Sequence, residues 1–402
     1  MEVTRQFRIG AESYDNNAPD LQTALKAAYE RRQRPLCLCK EQGVPMYIAR
    51  MGDQFLVKRM PLTGAEHSPA CESFEPPYEL SGLGALMGSA IQLDPTTGMA
   101  ALKLEFSLSK RGNRASPVGT GNGAVDSVIG EQRKMTLRGL LHYLWHEAGM
   151  TKWTSAWSGK RHWWNLQWHL LEAAKHMAVK DAPLSDILYI PEQFRSRNRQ
   201  AIEQRRVEAL AQALPPKSGP RPLMVLVGEV KEFAPARSGV NLVVKHMPGF
   251  PFILDEGLYR RLQARFESEI ALWSSDNASH LVAIATFGLS AAGLAIVEEI
   301  ALMVVAENWI PYESAYEKRL VDALARIREQ STKGLRYNMP LDQPMAAAMF
   351  LQRQPRQVAL YIVPPIADEK FEAALDELIT SRPEMDAWIW RITDGEMPPL
   401  PT

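Results

Sequence analysis

Every cysteine of the chain falls in one 35-residue window, as Cys37-Leu38-Cys39 followed after 27 residues by His67-Ser68-Pro69-Ala70-Cys71. Three thiolates and an imidazole are a donor set for tetrahedral zinc, with two short chelating pairs fixing local geometry and the intervening chain returning the second pair to the first. The intervening segment suits that task. VPMYIAR, the turn Met51-Gly52-Asp53 and QFLVKRM alternate like the two arms of a β-hairpin. Cys37, Cys39, His67 and Cys71 are therefore expected to hold a zinc ion, and four protein ligands leave no coordination position for activating water, so the metal's role would be structural. The competing reading is three buried free thiols beside a surface histidine. Arg50, Lys58 and Arg59 on the hairpin either make the platform basic or simply solvate its outer face.

An odd cysteine count cannot close into a disulfide framework and suits a reducing cytoplasm. The opening residues, MEVTRQFRIGAESYD, lack the basic and apolar regions of a secretory signal, so a cytoplasmic location is expected. Residues 281–297, LVAIATFGLSAAGLAIV, are uncharged, but Gly288 and Gly293 bracket a Ser-Ala-Ala turn. They read as two buried strands, and no membrane association is expected.

The texture of the 402 residues changes along their length, which indicates a multidomain α+β protein. Residues 1–80 form the zinc-binding β-hairpin domain, and 81–130 a strand followed by a Gly/Ser-rich flexible loop. Residues 131–216 are a Trp-rich helical domain, and 217–402 interleave strands and helices in an α/β domain. The formal charge is zero overall, yet 131–221 hold 15 basic and 8 acidic side chains and 222–402 hold 17 and 24, a split of +7 and −7. Such asymmetry fits a nucleic-acid surface on the helical part and fits equally two segments attracting each other.

Six of the ten tryptophans (Trp145, Trp153, Trp157, Trp163, Trp164 and Trp168) lie in that helical segment among Lys152, Lys160 and Arg161. Aromatic planes beside cations stack bases and neutralise phosphates in single-strand binders, while the helical spacing of most of these rings speaks for a core. A helix-turn-helix reading would place Lys160, Arg161, His162 and Asn165 in a groove. The candidate nucleic-acid contacts are thus Lys152, Lys160, Arg161 and Asn165, with Lys58 and Arg59 of the hairpin. His142 and His146 stand at i, i+4 without the glutamate of a metalloprotease between them, and His162, His169 and His176 recur every seven residues; both sets read as structural or surface histidines.

Residues 312–392 run in a specific order: a helix bearing Glu313, Glu317 and Asp322, the segment LRYNMPL, strands AAAMFLQ and QVALYIVPP, the helix KFEAALDELIT and the strand AWIWRI. This order resembles a restriction-endonuclease-like core, which would hold Mg²⁺ through a Pro-Asp and an Asp/Glu-x-Lys. Here Pro344-Met345 or Met349-Phe350 takes the first place and Ala359-Leu360-Tyr361 the second, so the resemblance implies a degenerate core without hydrolysis. A Glu-x-Lys does occur as Glu229-Val230-Lys231, where period two puts both groups on one face, but no partner aspartate is identifiable.

Taken as a whole, the chain resembles an uncharacterised bacterial family, domain-of-unknown-function number eleven-seventy-three. The resemblance rests on RPLCLCKEQGVPMYIARMGDQFLVKRMPLTGAEHSPAC, LRGLLHYLWHEAGMTKW, SGKRHWWN, LVGEVKE, VVKHMPGFPF, NWIPYES and AWIWRITDGEMPPLP, in order. It implies a setting on integrative and conjugative elements and no stated activity. Pairing a zinc hairpin with a nuclease-like end is also similar to competence-type proteins that handle incoming DNA. The function expected is that of a non-catalytic zinc protein binding nucleic acid or joining the protein components of a mobile-element complex. The alternatives are a Mg²⁺-dependent nuclease using Glu229 and Lys231, and a protein–protein adaptor. No glycine-rich phosphate loop or Gly-x-Ser-x-Gly motif is present, so no nucleotide cofactor is expected.

Overall fold

The computed structural model describes residues 5–94, 97–110, 134–180, 182–237, 239–327, 329–350 and 356–401. Of the Gly/Ser-rich stretch expected before residue 130, residues 111–130 lie outside the described residues. Strands β1 (Gln6–Ile9) and β2 (Glu12–Asp15) lead into helix α1 (Leu21–Glu30), which buries Leu21, Leu25 and Ala28 at helical spacing. Strands β3 (Leu36–Cys37), β4 (Val44–Met51) and β5 (Gln54–Arg59) complete an antiparallel sheet in the order β2-β1-β3-β4-β5. β4 and β5 are the hairpin expected from alternation, closing at Met51–Gln54.

The next elements are shared between distant parts of the chain. β6 (Ile91–Leu93) and β7 (Ala100–Leu102) join β10 (Met177–Val179) and β11 (Ala182–Pro183) in one sheet. β8 (Ser109–Lys110) pairs with β13 (Arg221–Pro222). Between them lie α2 (Leu137–Glu147), β9 (Lys152–Trp153), α3 (Trp163–Ala174), β12 (Leu188–Tyr189) and α4 (Arg199–Leu210). Thr136 caps α2 by accepting from the Gly139 N–H, and the Asn338 side chain accepts in turn from the Thr136 N–H at 3.1 Å.

A closed barrel occupies the centre. Its strands are β14 (Met224–Pro235), β15 (Val240–Val244), β16 (Phe252–Leu254), β17 (His280–Leu289) and β18 (Ala295–Val305), with helices α5 (Glu256–Arg265) and α6 (Glu267–Ser275) between β16 and β17. β14 pairs with β15, β15 with β16, β16 in parallel with β18, β18 with β17, and β17 back with β14. β14 serves both β17 and β15 within the barrel because it bends, with its first half on β17, its second half on β15 and a bulge between Val230 and Glu232. Gly228 sits just before the bend, where a Cβ would stand 2.6 Å from Val244 Cγ1. The apolar run at 281–297 is thus the β17–β18 hairpin, and it is buried on both faces because α2 and α6 pack on its outside. Among the described residues no helix is long and apolar enough to cross a membrane.

A further sheet ends the chain. α7 (Ala315–Arg326) precedes β19 (Ser331–Lys333), β20 (Ala346–Phe350) and β21 (Val358–Val363), an antiparallel meander, and α8 (Glu369–Thr380) crosses over to β22 (Asp386–Arg391), parallel to β21. β9 pairs with β19 at the other edge and β12 with β14 across the boundary expected near 216, while β10 pairs with β7 across the one near 130. One apolar core runs from Leu83 to Tyr337.

Candidate metal centre

The ligand set is assembled by the hairpin and the loop after it. Cys37 ends β3 and is held between Phe7 of β1 and Val44 of β4. Cys39 follows in the turn before β4, while His67 and Cys71 come from a compact loop in which the Cys71 N–H donates to the Ser68 carbonyl at 2.8 Å. The four ligand atoms lie within 4.8 Å of one another. Cys37 Sγ is 3.7 Å from Cys71 Sγ, and His67 Nδ1 is 3.3 Å from Cys39 Sγ and 3.7 Å from Cys71 Sγ. A tetrahedron with metal–sulfur bonds of about 2.3 Å has sulfur–sulfur edges of about 3.8 Å, so these separations fit a single ion.

The surroundings favour a thiolate at Cys71 and a neutral thiol at Cys37. The Ser68 N–H points at Cys39 Sγ and the Ser73 N–H at Cys71 Sγ, as backbone donors around a charged sulfur do. The hydrogen bond from Cys37 draws Cys71 down to about 3, with His67 and the Ser73 N–H adding to the effect, while the same pairing and burial push Cys37 up. His67 Nε2 is buried with no hydrogen-bond partner, which leaves Nδ1 as the ring's working atom. Cys37, His67 and Cys71 are buried and Cys39 half-buried. The site is compatible with zinc.

A buried charge cluster behind the metal loop, unforeseen in the sequence, ties it to the core. Arg59 of β5 pairs with Glu75 at 2.8 Å and with Glu147 of α2 at 3.3 Å. Glu75 also meets His146 Nε2 at 3.1 Å and Lys152 at 3.4 Å. Burial alone would raise the Glu75 carboxyl, but Arg59, His146 and Lys152 hold it well below the usual range. The only sequence hint was a glutamate four residues after the last cysteine.

This cluster takes up two of the six candidate nucleic-acid contacts, and other partners take up three more. Arg59 and Lys152 are consumed in it, and Lys152 also donates to the Phe74 carbonyl at 2.9 Å. Arg161 is buried and donates to the carbonyls of Met150, Asn308 and Lys152. Asn165 accepts from the His162 N–H at the start of α3. Lys58 lies 3.2 Å from His169 Nδ1 and over the Trp168 ring, and burial lowers it to about 8. Lys160 is the one fully exposed member of the set. Trp145, Trp153 and Trp163 are core residues, and Trp164 is 43% exposed.

The alternative pair Glu229 and Lys231 is separated by the β14 bulge. Glu229 is buried and accepts from Lys245 at 2.5 Å and from His280 Nδ1 at 2.6 Å, whereas Lys231 is exposed beside Glu232. Burial opposes ionisation of Glu229, but the His280 and Lys245 contacts prevail and lower it. Among the described residues no second group of three or more metal-ligating side chains converges.

A family model described as "Protein of unknown function (DUF1173)" matches residues 7–393. No curated protein and no solved structure matches the chain.

Proposed function

The chain belongs to that family of unknown function, and from this premise we propose that it is a non-catalytic, zinc-organised protein that binds single-stranded nucleic acid within a nucleoprotein complex of a bacterial mobile element. The observation that carries the reading is the barrel. Counting its strands from β14 to β18 as one to five, the pairing order is 1-2-3-5-4-1, with the third and fifth parallel and helices between the third and fourth. That order is the one used by the five-stranded Greek-key barrels that hold oligonucleotides and oligosaccharides on the face of their second and third strands. Fold-level likeness does not by itself assign a function, so the site chemistry must agree with it. On the outer side of β15 and β16, Asn241, Val243 and Ile253 remain partly exposed.

The metal site supports a structural role, because three thiolates and an imidazole close a tetrahedral shell. In the proposed state Cys37, Cys39, His67 and Cys71 hold zinc, which fastens the loop 60–75 and presents Arg59 and Glu75 to the core. The C-terminal sheet supports the absence of hydrolysis. Its helix, three-stranded meander, helix and parallel strand follow the order of a nuclease-like core, yet β20 (AAAMF) and β21 (VALYIV) carry no carboxylate for Mg²⁺.

A titration of the full chain against labelled single- and double-stranded DNA and RNA, at two salt concentrations and with and without Mg²⁺, tests the proposal. The expected result is a salt-sensitive shift with single strands that stay intact. Fragments appearing only with Mg²⁺ would favour a nuclease, and no shift with any nucleic acid would favour an adaptor.

A further inference from the structure

The segment 191–207 holds five arginines and two glutamates. Both glutamates are spent: Arg199 pairs with Glu203 at 2.8 Å and Arg205 with Glu192 at 2.9 Å. Arg195, Arg197 and Arg206 are left without a carboxylate partner among the described residues. Arg195 and Arg197 are exposed just before α4. Arg206, on α4, lies with its guanidinium 4.8 Å from the centre of the Phe250 ring, and its Nε is buried without a hydrogen-bond partner.

Phe250 belongs to the connection between β15 and β16, at one end of the barrel face on which the proposed function rests. The same connection holds Phe194, whose N–H donates to His246 Nδ1 at 3.4 Å, and His246 sits in the left-handed region at φ +67°. A non-glycine residue in that conformation is unusual and turns the chain sharply after β15. Phe194 and Phe250 are both half-buried, and Phe250 also packs edge-on against Phe252 with ring centres 5.6 Å apart. Two half-buried phenylalanines beside three guanidinium groups that form no salt bridge among the described residues suit a strand with unstacked bases, rings for the bases and cations for the phosphates. A duplex, whose bases are already stacked, has no use for the rings.

We infer that Phe194, Arg195, Arg197, Arg206 and Phe250 form the tract that grips single-stranded nucleic acid as it leaves the β15–β16 face. This rests on the single-strand reading of the barrel and adds the place and the chemistry. The β14–β15 connection, one of the loops such barrels commonly use, lies at the opposite ends of β15 and β16, so the tract would extend the footprint away from it.

Fluorescence anisotropy of the full-length, metal-loaded chain with a labelled 20-nucleotide oligothymidylate and with a 20-base-pair duplex tests it, using wild type, the double variant R195A/R197A and Phe250→Leu. Thermal melting and metal content serve as fold controls. Each phosphate contact on a single strand contributes about 0.7 to the slope of log affinity against log salt, so the double variant should lose about 1.4 from that slope. Phe250→Leu keeps an apolar side chain but removes the stacking plane, and should weaken single-strand binding roughly tenfold at unchanged slope. Wild-type binding with both variants indistinguishable from it would overturn the tract and leave the barrel reading standing. Equal binding of duplex and single strand, insensitive to Phe250→Leu, would overturn the role of the rings. No binding by wild type would overturn both.

Discussion

At the level of single residues, the clustering of the candidate metal ligands was legible because their chemistry is in the residue type and their geometry in short spacings. Cys37, Cys39, His67 and Cys71 need nothing from the distant chain except a hairpin to bring them together. The candidate contacts Arg59, Lys152 and Arg161 were misleading for the opposite reason: what satisfies their charge lies elsewhere in sequence, at Glu75, Glu147 and the Asn308 carbonyl. Two outcomes follow. Cys71→Ser should abolish binding of one equivalent of zinc, measured by elemental analysis, and backbone hydrogen exchange should then rise across residues 5–80 while the barrel strands stay protected. Glu75→Gln removes the partner shared by Arg59, His146 and Lys152, and breaking a buried pair from one side costs about 3–5 kcal/mol, to be read from the urea midpoint. A change below 1 kcal/mol would mean the cluster is already solvated.

Among the secondary elements, two of the three histidines that recur every seven residues, His169 of α3 and His176 just past it, lie at an interface with the hairpin. His169 meets Lys58 of β5, His176 packs on Tyr47 of β4 with ring centres 4.0 Å apart, and Trp168 Nε1 donates to the Arg50 carbonyl at 3.2 Å. Burial, with Lys58 and Arg161 adding, pulls His169 down to about 3; burial pulls His176 down to about 4 against the attraction of Glu172. Both groups therefore bind protons more readily unfolded, where a histidine titrates near 6.5. Their contribution to stability is complete above about pH 6.5 and declines as pH falls towards 4 and then 3. Melting temperature measured from pH 7 to pH 4 should fall, and less steeply in H169Q/H176Q; identical slopes would rule out this source. Periodicity revealed the hairpin and the helices, but not the bend in β14. Gly228→Val should overpack the barrel against Val244 and cost about 1–3 kcal/mol in chemical denaturation.

Over the whole molecule, the texture of the sequence changes near residues 130 and 216, while the structure ties those stretches together through pairs that no local pattern announces. β9 completes the C-terminal sheet, β12 extends the barrel and β10 joins β7. These strands are two or three residues long, too short to register as strands in a window of sequence. Residues 217–402 expressed alone should therefore lack a cooperative melting transition, because the core from Leu83 to Tyr337 would be opened, and co-expression with residues 1–216 should restore it. A sharp transition for the isolated fragment would establish it as an independent domain.

The bond between Thr136 and Asn338 closes the first turn of α2 across 202 residues of chain. At about 5–20 residues per second of synthesis, α2 waits about 10–40 s after its own emergence for the side chain that braces its cap residue, Thr136. The strands and ligands of the metal lobe all fall within residues 6–71, so that lobe alone among the parts described is complete early. In the growing chain the metal lobe is a first foothold, and the long interval after it is when α2 and α3 stand uncovered and most in need of a chaperone.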